Sequence, residues 1–229
     1  MENSWDIYCL SFKNPKRKSE MEERFKKLDI NCIFYDGVGM DDPRMKNNKN
    51  GSIMFGLLDI IQKFYDSEKE FGIFCEDDVY IHKDFKLMLP DIFNDFKIMN
   101  LDVLLLGYLI PFEIKPYYQN FELKSNNPNL KYVYHNYPND LWGGQMILFS
   151  KKYAKYILEK YTIEYAIKCD NDNTLPPFSG DHTVTKEGNR ALIYPMLAVE
   201  TADKISGCYA QDIFHENCRN QNYDPNIYI

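Results

Sequence analysis

The chain has 229 residues, 45% hydrophobic and 27% charged, with a formal net charge of −7 at neutral pH. That balance suits an ordinary folded chain with a sizeable core and excludes a general binder of nucleic acid or anionic membrane, since both need a basic face. No stretch approaches the roughly 18 uninterrupted apolar residues of a membrane helix. The opening MENSWD has neither the basic nor the apolar region of a secretory signal, so the expected location is cytoplasmic.

In chain order, WDIYCLSF (5–12) reads as a first strand, and KNPKRKSEMEERFKKL comes next as an amphipathic helix with Met21, Phe25 and Leu28 on one face. INCIFYDGVG is a second strand stopped by the turn signal Asp36-Gly37. MDDPRMKNNKNGS is polar and reads as loop, and residues 53–65 form a second helix with Leu57, Ile60, Ile61 and Phe64 aligned. FGIFC (71–75) is a buried strand, and three carboxylates, Glu76, Asp77 and Asp78, close it. DFKLMLPDIFNDFKIM is helical with a break expected at Pro90, and LDVLLLGYLI reads as a central buried strand. After a loop-like stretch containing LKYVYH come the strand GGQMILFS, the helix KKYAKYILEKY, and a polar tail interrupted by the strand-like RALIYPMLAVE. Six scattered cysteines show no CxxC or zinc spacing and are expected as reduced thiols, mostly buried.

Alternating strands and helices without a linker or repeat predict one α/β domain over 1–229: a mostly parallel, Rossmann-like sheet with helices on both faces. Such sheets bind ligands beyond the C-terminal strand ends, where strand order switches. Three carboxylates at a strand end repel one another, and a hard divalent cation, Mg²⁺ or Mn²⁺, would relieve that and hold a diphosphate as leaving group. In an extended segment Glu76 and Asp78 would face the same way and Asp77 the other. The alternative is an acidic turn left in solvent.

FGIFCEDDV is similar to an apolar strand followed by Glu-Asp-Asp in family 25 glycosyltransferases, the group that holds lipopolysaccharide and collagen sugar transferases. The same order of features continues along the chain. IYCLSFKNPKRKSEMEERFKKLDINCIFYDGV resembles that family's opening, with Asn14 and Arg17 on its Asn-x-x-Arg. LDVLLLGYL, WGGQMILFSKKYAKYIL, FSGDHTVT and LIYPMLAVETADKIS resemble its later strands and its Pro-x-Asp segment. Where the family has Gly-Cys and Ser-His before the acidic motif, this chain has GSIMFGLLDI, without histidine. The resemblance implies a GT-A fold, a UDP-type nucleotide-sugar donor, a hydroxyl acceptor on a glycan or protein, and Mn²⁺ or Mg²⁺. It implies a nucleotide-sugar half over 1–110 and an acceptor half over 111–229, with Glu76 or Asp77 facing the ribose and Asp78 on the metal.

The other candidates come from position and chemistry. Arg17, after the first strand, is placed to contact the nucleotide or its phosphates. Asp36, ending the second, can accept from uracil or ribose, or simply make a turn. Asp181, beside Gly180, is the candidate general base for an inverting transfer, with Asp140 as its competitor and a helix N-cap as its plainer role. Trp142 with Gly143 and Gly144 can receive a sugar ring, and His215 can join Asp78 and Glu76 on the metal. Two other functions stay open. A nucleotidyltransferase-like sugar-phosphate enzyme would carry a glycine-rich loop that SFKNPKRK lacks, and the third possibility is an inactive transferase domain kept as a binding module.

Overall fold

The computed structural model describes residues 4–46, 51–114, 132–137, 141–180, 183–203 and 208–229. The strands are β1 (Trp5–Ser11), β2 (Cys32–Asp36), β3 (Phe71–Glu76), β4 (Val79–Ile81), β5 (Val103–Leu109), β6 (Val133–Asn136), β7 (Trp142–Ser150), β8 (Arg190–Tyr194) and β9 (Ala198–Glu200). The helices are α1 (Pro15–Lys27), α2 (Ser52–Asp66), α3 (Phe85–Ile98), α4 (Lys151–Lys160), α5 (Ile163–Asn171) and α6 (Tyr209–Asn222).

Among the described residues, seven strands form one sheet in the order β2-β1-β3-β7-β5-β8-β6. β1, β2, β3, β5 and β8 run in one direction, and β7 and β6 run against them. Period-two side chains divide the core. Tyr8 and Phe74 face α2 and α4, packing with Phe64 and Ile157. Ile7, Ile73 and Cys75 face α1 and α3, packing with Phe25, Phe93 and Phe96. The expected α/β architecture with helices on both faces is what the chain adopts. No described helix is long and apolar enough to cross a membrane.

Local chemistry fixes both ends of α1. Asn14 Oδ1 accepts the Arg17 N–H at 3.2 Å, and Pro15 opens the first turn, so the helix begins at a fixed residue. The helix ends at Leu28. There the Ile30 N–H reaches back to the Phe25 carbonyl across Asp29, whose φ of 52° is left-handed. The chain passes from β1 outward to β2 and returns to place β3 on the other side of β1, so order switches between β1 and β3.

Three expectations need correction. Pro90 does not break α3, which runs through it: Pro90 lies on the exposed side, and the carbonyl that loses its partner belongs to exposed Lys86. RALIYPMLAVE is two strands in different sheets, because Pro195 has no N–H to continue a ladder; β9 pairs instead with β4. The tail is not all loop, since 209–222 form α6, held by buried Cys218 and by Asn222 Nδ2 donating to the Ile110 carbonyl at 2.8 Å.

The six cysteines are thiols outside any disulfide: Cys9, Cys75 and Cys218 are buried, Cys32 and Cys169 half-buried, and Cys208 exposed. The melting temperature should therefore be the same with and without dithiothreitol. A clear fall on adding reductant would reveal a structural disulfide.

Candidate functional site

The C-terminal ends of β1, β2, β3 and β5 share one edge of the sheet, and reversed β7 starts there, with Trp142 opposite Leu109. Most of the residues singled out from the sequence gather along this edge.

At the switch point, Ser11 Oγ donates to Asp77 Oδ2 at 2.7 Å across the gap between β1 and β3. The Arg17 guanidinium lies over the same place: Nη1 is 3.1 Å from Asp78 Oδ2 and 3.6 Å from Asp77 Oδ1. The Thr201 N–H donates to the Asp78 carbonyl at 2.7 Å, which ties the acidic turn to the end of β9. The Asp78 side chain is 1% exposed. The chain bends at Asp77–Asp78 between β3 and β4, so the alternation expected of an extended segment fails. Asp77 and Asp78 turn to the same guanidinium. Arg17 itself, expected at the phosphates, is engaged by these carboxylates.

Glu76 lines a small cavity of about 30 Å³ with Leu10, Ile53, Ile147, Gly144 and Gly180. A Cβ on Gly144 would lie 2.9 Å from Ile147 Cδ1 and 3.8 Å from the Gly180 carbonyl, so these two glycines are neighbours. Gly143 has φ of +105°, and a Cβ there would meet the Leu109 nitrogen at 2.8 Å; only glycine fits this turn into β7. Trp142 opens β7. Asp140 and Asp181, the two candidate bases, lie outside the described residues.

Asp36 lines a second, larger cavity of about 570 Å³, with Phe12, Lys13, Tyr35, Gly37 and Arg44 among its walls. Lys13 has φ of 49°, and its Nζ lies 5.0 Å from the centre of the Phe12 ring. The far wall is pinned by Arg44. Its Nη1 and Nη2 bind Asp59 at 2.7 and 2.9 Å, and its Nε and Nη2 bind Asp42 at 3.0 and 2.9 Å. The Arg44 hydrogen bonds hold the Asp42 carboxyl below its usual range. Tyr35 Oη donates to Asp59 at 2.9 Å, and desolvation leads the causes that raise its phenol. The loop 37–46 is thereby held to α2 as one wall.

His215, expected on a metal, has its Nδ1 2.5 Å from Glu200 Oε2. Glu200 is 3% exposed and stands opposite Val79 in the β4–β9 pair, one residue along from Asp78. Among the described residues Asp78 lies against Arg17, Glu76 lines the small cavity and His215 lies against Glu200. Among them there is no group of three His, Cys, Asp or Glu side chains that could hold a metal ion.

Sequence reasoning missed Ser11, Lys13, Arg44 and Glu200. The signal for Ser11 and Lys13 was their place at the end of β1. For Glu200 it was a lone carboxylate closing the apolar run MLAVE. Arg44 carried none, because nothing local tells that its partner is fifteen residues further on.

No family model matches the chain, and no curated protein matches it. Among solved structures it is similar to the crystal structure of a glycosyltransferase involved in the glycosylation of the major capsid of PBCV-1. The two are 16% identical over 92% of this chain and 98% of that one, with a TM-score of 0.45.

Proposed function

We propose that this chain is a glycosyltransferase that moves a sugar from a nucleoside diphosphate, UDP first, to a hydroxyl of a glycan or protein with inversion. The observation that carries the nucleotide part is the cavity of about 570 Å³ where β1 and β2 end, next to the switch point. Aromatic Phe12 and Tyr35 offer faces to a base, Asp36 accepts from base or ribose, and the Lys13 ammonium answers a phosphate charge. Ligands of α/β sheets bind at such strand ends. The sugar part is supported by the ordered sequence resemblance.

In this reading the acceptor oxygen attacks the anomeric carbon while a carboxylate, Asp181 or in competition Asp140, takes its proton. The bond to the diphosphate breaks, and the nucleotide leaves with the electron pair. In the chain Asp181 follows Gly180, itself a residue of the small cavity.

The test is calorimetric titration of the chain with UDP and GDP. UDP should bind, and Asp36→Ala should weaken it by about tenfold, ~1.4 kcal/mol. A chain that binds neither nucleotide would end this reading.

A further inference from the structure

We propose that the acidic strand end is a clasp for Arg17 rather than a seat for a metal ion, and that this chain binds its nucleotide without a divalent cation. The second half rests on the nucleotide reading above.

The geometry of the clasp is specific. One atom, Arg17 Nη1, lies between Asp78 Oδ2 at 3.1 Å and Asp77 Oδ1 at 3.6 Å. A metal bridging these two oxygens would bring a second cation close against that guanidinium, at a Coulombic cost. The remaining Asp77 oxygen is held by Ser11. Mg²⁺ and Mn²⁺ keep several waters or phosphate oxygens in their shell, so their protein ligands have to reach an open space. The Asp78 side chain is 1% exposed and that of Asp77 11%, beside an Arg17 side chain that is itself 19% exposed.

The rest of the expected ligand set is drawn elsewhere. Glu76 lines the cavity walled by Leu10, Ile53 and Ile147, and His215 Nδ1 lies 2.5 Å from Glu200 Oε2. The sequence has also built the delivery of the guanidinium. Asn14 caps the Arg17 N–H and Pro15 sets the first turn, so α1 begins where Arg17 can reach across β1 to β3. A guanidinium never loses its charge and is weakly hydrated, so it suits a buried carboxylate pair better than an ammonium would. The charge that a donor diphosphate needs is then supplied outside the clasp, at Lys13 in the wall of the larger cavity.

The experiment measures Mn²⁺ uptake by electron paramagnetic resonance on the intact chain, alone and with UDP as probe. The wild-type chain should take up no stoichiometric Mn²⁺, and its UDP affinity should agree within about twofold between EDTA and MnCl₂. Arg17→Met, which leaves the two carboxylates facing each other, should gain Mn²⁺ uptake, and Asp78→Asn in that background should remove it. The wild-type measurements stand whether or not the variant folds. Uptake by the wild-type chain that Asp78→Asn abolishes would overturn the proposal, as would UDP binding that requires Mn²⁺. If UDP binds under neither condition, the nucleotide reading falls, and Mn²⁺ uptake alone still decides the clasp.

Discussion

Asp181→Asn should lower sugar transfer by a factor on the order of 10²–10⁴ while leaving nucleotide binding intact. The amide keeps the size of the side chain but cannot take the acceptor's proton, and a placed base is worth that factor. Nucleotide binding should survive because the larger cavity is walled by residues of β1, β2 and the loop that Arg44 holds, all far from Asp181 in the chain. The measurements are turnover of a UDP-sugar with a hydroxyl acceptor, or its slow hydrolysis by water as a proxy, beside calorimetry with UDP. Near-normal transfer by Asp181→Asn together with its loss in Asp140→Asn would move the base to Asp140.

The second large effect is on stability. Arg17→Met should destabilise the fold by about 3–5 kcal/mol, because it strands buried carboxylate charge. For a chain of this size that lowers the melting temperature by on the order of 10 °C. Adding Asp78→Asn should recover much of the loss, since the pair removed together leaves no uncompensated charge. By contrast, Lys27→Met, which breaks an exposed pair with Glu23 at 2.8 Å, should leave the melting temperature essentially unchanged. Equal, small effects of Lys27→Met and Arg17→Met would mean that the Arg17 contact carries no structural weight.

The alternating half of the fold was legible because its signals are local. Apolar runs of five to seven residues became β1, β3 and β5, and the Met21–Phe25 spacing became the buried face of α1. What could not be read depended on residues far apart. α6 is built from YAQDIFHENCRNQN, a run of weak helix formers, and it stands because Cys218 is buried and Asn222 reaches Ile110. At the strand end the local geometry differs from the one expected. Period-two alternation assumes extended backbone, and the bend at Asp77–Asp78 turned both side chains to one arginine that the sequence places sixty residues earlier. Asp36 lines one cavity, and Glu76 with Gly144 another, at one edge of the sheet.

The bond from Ser11 to Asp77 spans 66 residues, and the Arg17 contacts span nearly as many. Neither can form until β3 has docked on β1, after α1, β2 and α2 have been threaded between them. A contact that arrives so late contributes little to the rate of reaching the native state and much to the rate of leaving it. Arg17→Met should therefore raise the unfolding rate more than it lowers the refolding rate, a split that the two arms of a chevron plot would read.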